Sequence, residues 1–394
     1  MKELRILSPD SRSAPGTSLG LGCLPCPYRD DCGGIVSDYD CLAYCCNSPA
    51  TCKIACPRSH RLGQVVEDCG GWNRRIAALK QDTTSPLPLY IPCVQNGSQR
   101  DALLSLPIVA IPTFAVTRRT ARQRFSSGAE FRKHFGIAPA TRILLVSVKD
   151  DPQLESYWQY SVLRGLPEYL ATLDIGHITA PNFSFANNAP RTEHLVNRAR
   201  SLKCIEEFSR AGISVIPHLN ASNQYQWDCW AEFLIEHPEI TIVSKEFQTG
   251  AAIPRIAQWH IGQLERVQEK IGRGLHLVAI AGRRHIQRLL GLSALTIIDS
   301  DPFFKTIFRQ SISKQDGHWK ISRTEPGESL STLLEHNIKT YHAGIESKVI
   351  QCKQYPLRFP AELPTRKEEA IQNHNRIPSG STAQMDLWVS SSTA

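Results

Sequence analysis

Between Pro86 and Arg309 the chain alternates short apolar, β-branched runs with longer stretches of helical periodicity. The runs are Leu89–Val94, Ile108–Pro112, Ile143–Val148, His177–Ala180, Ser214–Pro217, Ile240–Ser244, Leu275–Ala281 and Leu295–Ile298. Several are continuous rather than alternating, which is how strands covered on both faces read. Between them, Leu195, Ala199, Leu202, Ile205 and Phe208 recur at steps of three or four and define one helix face. Ile256, Ile261, Leu264 and Val267 do the same further on. Eight such units over about 225 residues predict an α/β fold, a (β/α)8 TIM-like barrel, with an open doubly wound sheet as the alternative. The first connection, Ser98 to Ser105, leaves little room for a helix.

A barrel of this kind builds its site at the strand C-termini. Reading those ends gives Gln95, Asp150 and Asp151, Asn182, His218 and Asn220, Lys245 and Glu246, Gly282 and Arg283, and Asp299. Carboxylates, amides and cations thus converge on one predicted face. Asp150, Asp151 and Glu246 are candidates for proton transfer, while Gln95, Asn182, His218 and Asn220 suit hydrogen bonds to a ligand. Polar turns supply the plain alternative, and Asp299 ahead of Pro302 also reads as a helix start. The aromatic helix with Tyr225, Trp227, Trp230 and Phe233 is most simply core, with base stacking at Trp227 as the alternative.

From Gly274 the chain reads Gly-Leu-His-Leu-Val-Ala-Ile-Ala-Gly-Arg-Arg, and from Ala294 it reads Ala-Leu-Thr-Ile-Ile-Asp-Ser-Asp-Pro. These two units resemble the closing units of the tRNA-guanine transglycosylase superfamily, whose relatives include proteins placing 7-deazaguanines in DNA. The resemblance implies a glycosyltransferase in which Asp299 is the nucleophile and Gly282 the glycine of the preceding loop. It implies a guanine or 7-deazaguanine base, carried by DNA or tRNA, and admits a role in DNA modification or antiviral defence. It covers the final two units. The family's Asp-Ser-Gly-Gly-Phe-Gln segment is absent, and so is its CxCxxC zinc site after the last strand; past Asp299 the chain has one cysteine, Cys352.

Cysteine usage changes the picture at the other end. Nine of the 13 cysteines fall at Cys23, Cys26, Cys32, Cys41, Cys45, Cys46, Cys52, Cys56 and Cys69, a density that calls for a shared partner. Met1 to Ser18 holds no apolar run of signal-peptide length, so the expected compartment is the cytoplasm, where disulfides are disfavoured and metal leads. Only Cys23 and Cys26 have zinc-ribbon spacing, whereas Cys56-Pro57 ends like a ferredoxin run, so one or two iron–sulfur clusters and zinc both stand. An iron–sulfur redox or radical enzyme is accordingly one alternative function. A non-catalytic nucleic-acid-binding protein is another. No apolar stretch reaches the roughly 20 residues of a membrane span.

The 45 basic and 37 acidic side chains leave a charge of +8, compatible with a nucleic-acid partner. Arg118, Arg119, Arg122 and Arg124, with Arg132 and Lys133 beyond, form the densest basic strip. The spacing predicts a helix presenting Arg118 and Arg122 beside Phe125 to phosphates. The expected organisation is a cysteine-rich module over 1–75, the barrel over 86–310, an extension over 311–370 and a polar tail over 371–394.

Overall fold

In the computed structural model the described residues are 28–32, 54–56, 59–72, 76–77, 79–97, 100–118, 122–161, 164–185, 189–315, 318–325 and 327–354. The chain divides into compact units at Gln351, and everything below concerns the first. All eight predicted apolar runs are strands: β1 (Tyr90–Pro92), β2 (Ile108–Pro112), β5 (Arg142–Val146), β6 (His177–Thr179), β7 (Ser214–Ile216), β8 (Ile242–Glu246), β9 (His276–Ile280) and β10 (Ala294–Asp299). They form two four-stranded parallel sheets, ordered β2-β5-β6-β7 and β1-β10-β9-β8. Two isolated parallel bridges lie at the seams, Cys93 to Ala110 between the first two strands and His218 to Ser244 just beyond β7.

Residue alternation sorts the side chains into two sets. Ile91, Ala110, Leu144, Ile216, Val278 and Ile298 belong to an apolar cluster drawn from strands of both sheets, which therefore share one inner face. The alternate positions, such as Val109, Leu145, Val215, Val243 and Ile297, join the larger core with the helices. Two of these helices are α6 (Arg191–Arg210) and α8 (Pro254–Ile271). As the periodicity requires, Ala199, Leu202, Ile205 and Phe208 are buried on the first, and Ile261, Leu264 and Val267 on the second. In α7 (Gln224–Glu236), Trp227 and Trp230 are fully buried, so this aromatic helix is core and Trp227 has no face to offer a base.

The described pieces of the cysteine-rich stretch dock on α6. Helix α2 (Leu62–Cys69) and Ala55 form a small cluster with Val196 and Ala199. The Ala55 N–H donates to Glu193 at 2.5 Å, and the Thr192 hydroxyl donates to the Ala55 carbonyl at 2.6 Å. At the other end, a hairpin β11 (Gln310–Gln315) and β12 (His318–Arg323) precedes the long helix α11 (Leu330–Gln354). No helix among the described residues is long and apolar enough to cross a membrane.

The basic strip departs from expectation. Thr117–Arg118 (β3) pairs antiparallel with Arg122–Gln123 (β4), and helix α3 starts only at Gly128. The Ser127 hydroxyl accepts from the Glu130 N–H there, capping the helix two residues beyond Phe125. The threonine before Arg118 suits a strand, and a short hairpin replaces the predicted basic helix face.

At the β7–β8 seam the sheets do not meet directly along their first residues. Residues 79–82 run into the gap. The Val215 N–H donates to the Lys80 carbonyl at 3.1 Å, and the Asp82 N–H to the Ser214 hydroxyl at 2.8 Å. Gln81 spans both strands: its amide nitrogen donates to the carbonyls of Val215 (3.0 Å) and Ile242 (2.8 Å). Its amide oxygen accepts from the N–H groups of Thr241 (2.7 Å) and Ile242 (2.8 Å). One side chain thus supplies what a ladder would otherwise supply. Gln81→Ala leaves strand donors and acceptors unpaired and is expected to lower unfolding stability by about 2–4 kcal/mol in urea titration. Gln81→Glu, which keeps the size but loses both donated bonds, is expected to fall on the same side of wild type.

Candidate functional site

The C-terminal ends of β6, β7 and β8 bring four of the predicted residues together. Asn182 is buried, and its amide nitrogen donates to Glu246 Oε1 at 3.2 Å while its oxygen accepts from the Lys149 N–H at 2.9 Å. That oxygen contact sets the amide's orientation, so the donor end faces the carboxylate. Glu246 shares the strand face of Ile242 and Ser244, the inner one. Burial pushes its carboxyl above the usual carboxylate range, with Lys245 and Asn182 opposing that shift. Asn220 donates to the Phe183 carbonyl at 3.0 Å and accepts from Lys245 Nζ at 3.1 Å. His218, fully buried, meets the Ser244 hydroxyl through Nδ1 at 3.1 Å, and its Nε2 has no hydrogen-bond partner. Burial, and then the charge of Lys245, holds His218 well below the ordinary imidazole value, so it is neutral.

The sequence places Lys245 at this strand end and gives it no role. The predicted strand stopped at Ser244 because a Lys-Glu pair reads as surface. The strand instead continues to Glu246, with the lysine 1% exposed on the helix side. Burial lowers its ammonium to about 8, against the pull of Glu246. What the arrangement offers chemically is a carboxyl of raised proton affinity on the inner face, a fixed amide donor beside it, and a readily deprotonated lysine behind it.

Asp299 lies elsewhere than expected. Ile298 faces the inner cluster, so the next residue of β10 faces out, in register with Pro92. Its carboxylate accepts from the Tyr341 hydroxyl of α11 at 2.6 Å and from the Asp301 N–H at 3.0 Å. A nucleophile on the barrel axis was expected; strand parity and the tyrosine instead hold this carboxylate against the outer helix layer. Burial and the neighbouring Asp301 raise its pKa, and the Tyr341 bond opposes them. Arg283 completes the group. Its guanidinium lies 5.0 Å from the Tyr341 ring centre and 5.7 Å from that of Trp319, with Asp301 at 3.4 Å. Neither Tyr341 nor Trp319 carried a sequence signal, since both sit in elements beyond the repeating units.

The remaining predicted residues are placed as follows. Gln95 donates to the Cys93 sulfur at 3.3 Å. Asp150 is exposed just ahead of α4 (Asp151–Tyr160), whereas Asp151 accepts the Ser184 hydroxyl at 2.5 Å. Gly282 is buried for a packing reason: a Cβ there would come within 2.7 Å of the Ala279 Cβ. Arg124 donates to the Ala115 carbonyl at 2.7 Å and to His134 at 3.1 Å, so part of its guanidinium is engaged within the fold. Arg132 likewise holds the Ala138 and Thr141 carbonyls and Asp174. Arg122 is exposed on its hairpin strand, paired in register with Arg118, and Arg119 lies outside the described residues.

Of the nine clustered cysteines, Cys32, Cys56 and Cys69 are described; Cys23, Cys26, Cys41, Cys45, Cys46 and Cys52 lie outside the described residues. No group of three metal-ligating side chains occurs among the described residues. Cys69 is packed in the apolar contact with α6, and burial pushes its thiol up to about 11.

The Lys245 environment has a measurable consequence. Its proton is held less tightly in the folded chain than in the unfolded one, so from about pH 8 to pH 10 the unfolded state binds more protons and stability rises with pH. Below about 8 the cost of burying the ammonium is fully present, roughly 3 kcal/mol from the size of the depression. Lys245→Met removes the charge and leaves Asn220 one donor short. It is expected to be more stable than wild type by about 1–2 kcal/mol at pH 7 and to lose the alkaline rise, as read from urea midpoints at pH 7 and at about pH 10.

No protein-family model matches this chain, and no curated protein matches it.

Proposed function

We propose that the two parallel sheets close into a (β/α)8 barrel whose strand C-terminal mouth takes a guanine-like base, with Glu246 exchanging a proton with the ring. Chain-order strands, a bridge at each seam and one inner core support the closure. The observation that carries the site is the inward Glu246 carboxyl, raised by burial and braced by Asn182. A guanine edge presents adjacent N–H donors and a carbonyl acceptor, which a carboxyl and an amide side by side complement. The resemblance of the last two units supplies the choice of guanine or 7-deazaguanine. DNA or tRNA is the corresponding partner, with Arg122 and Lys133 exposed members of the basic strip among the described residues.

Base exchange through Asp299 is the second reading, favoured by its strand-end position and raised carboxyl. It requires Tyr341 to release the carboxylate and the strand end to turn. Calorimetry with guanine and 7-deazaguanine separates the two. Glu246→Gln is expected to weaken binding by about tenfold or more, and Asp299→Asn to leave it within about twofold while lowering stability by about 1 kcal/mol. Undiminished binding by the Glu246 variant sinks the site. A covalent adduct with a guanine-containing oligonucleotide that vanishes in Asp299→Asn establishes the second reading.

The cysteine run belongs to this proposal as a metal module, for iron–sulfur or zinc, since clustered thiolates favour both. Cys69, an elevated thiol in an apolar contact, fits that set least. Protein purified without oxygen is expected to carry stoichiometric metal by mass spectrometry, and chelation to loosen the docked α2. Metal-free protein with an unchanged unfolding curve removes the module.

A further inference from the structure

A cationic cavity opens beside the Asp299 group, at the end of β9. It measures about 330 Å³ and is lined by Arg283, Arg284, Ile286, Trp319, Ile345 and Lys348, with Gly344 beneath the tryptophan. The chain leaves β9 through Ala281, whose φ of 57° is left-handed, and this turn carries the two arginines outward. Three of the lining side chains are cations and none is a carboxylate. Arg283 is braced by the rings of Tyr341 and Trp319 and lies 3.4 Å from Asp301. Its Nε is buried without a hydrogen-bond partner. Arg284 and Lys348 are exposed on opposite walls, one on the loop and one on α11. Their joint field reaches His285, which burial and then these two charges hold below its ordinary value.

Such a constellation has an evident ligand chemistry. Two exposed cations and a ring-braced guanidinium around one cavity match a dianionic or diester phosphate, because a guanidinium fork and an ammonium supply donors to several oxygens at once. The cavity lies within the size range of small-ligand sites, and the indole beside the cations offers an apolar surface to whatever the phosphate carries. We infer that the Arg283–Arg284–Lys348 cavity binds the phosphate of a nucleotide. This deepens the base-binding reading by naming the group that accompanies the base, yet it stands on residues that reading does not use.

Two sources carry that phosphate, a free nucleotide and a strand backbone. The test uses the full chain and three probes: inorganic phosphate, guanosine monophosphate and a fluorescein-labelled single-stranded 12-mer. Wild type is expected to bind at least one phosphate ester, and Arg284→Gln with Lys348→Gln to weaken it by about tenfold or more. Both positions are exposed, so the double variant should fold; a circular dichroism melt confirms it. If the 12-mer is the ligand, the slope of log affinity against log salt falls by about one to two in the double variant. If the monophosphate binds as well as the 12-mer does, a free nucleotide is the source. Affinity and slope unchanged by the double substitution, or no binding of any probe, overturns the assignment. Glu246→Gln is expected to leave binding of inorganic phosphate intact, and free guanine carries no phosphate, so failure here is distinguishable from failure of the base site.

Discussion

The seam between β7 and β8 depends on one amide. Parallel strands hold each other through evenly spaced ladder bonds, and at this seam the strands meet only at His218 and Ser244. Nearer the strand starts, the gap is filled by residues 79–82, with the Gln81 side chain donating to one strand and to the other, and accepting from the second. An amide suits the place because it alone among uncharged side chains combines two donors with an acceptor carrying two lone pairs. The segment leading into β1 is therefore part of the sheet framework. Everything at the far ends of β6, β7 and β8, including the Asn182–Glu246 pair, inherits its spacing from this wedge.

Much of the framework was legible because strands covered on both faces must be apolar throughout. Runs such as Ile108–Pro112 and Leu275–Ala281 advertise themselves whatever their neighbours do. The failures share a cause. Charged or hydroxyl residues at strand ends read as loop, so the sequence ends β8 at Ser244 and β10 at Ile298 and sets Asp299 facing the barrel axis. Once Asp299 is counted as a strand residue, parity decides its face: Ile298 in, Asp299 out. The arginines around Phe125 misled in another way. Their spacing fits a helix face, yet Thr117–Arg118 pairs with Arg122–Gln123, and Arg124 donates to the Ala115 carbonyl. Helical spacing in a polar segment carries little information when no apolar stripe accompanies it.

Two adjacent residues on β8 show how one strand can hold opposite charges in different surroundings. Lys245 turns toward the helices and Glu246 toward the inner face, and each is destabilised in its charged form by burial. Their mutual attraction opposes both shifts, Glu246 favouring the ammonium and Lys245 favouring the carboxylate. His218 stays neutral in the same field. The Tyr341–Asp299–Arg283 group has a different logic: its charges and rings tie β10 to α11, and its outer rim, where Arg284 and Lys348 project, faces open space.

That tie leaves a mark on α11. A side chain at residue 344 would place its Cβ 2.2 Å from the Trp319 ring, so a glycine stands in the middle of a 25-residue helix, where that residue type is ordinarily the poorest former after proline. Trp319 and Gly344 are consequently a single unit of heredity. A bulkier residue at 344 is admissible only after the indole has been lost. Loss of the indole removes one of the two rings over Arg283 and leaves a helix with a needless glycine. Among any descendants of this chain the two positions should therefore change together or not at all, and the glycine should vanish first wherever the tryptophan already has.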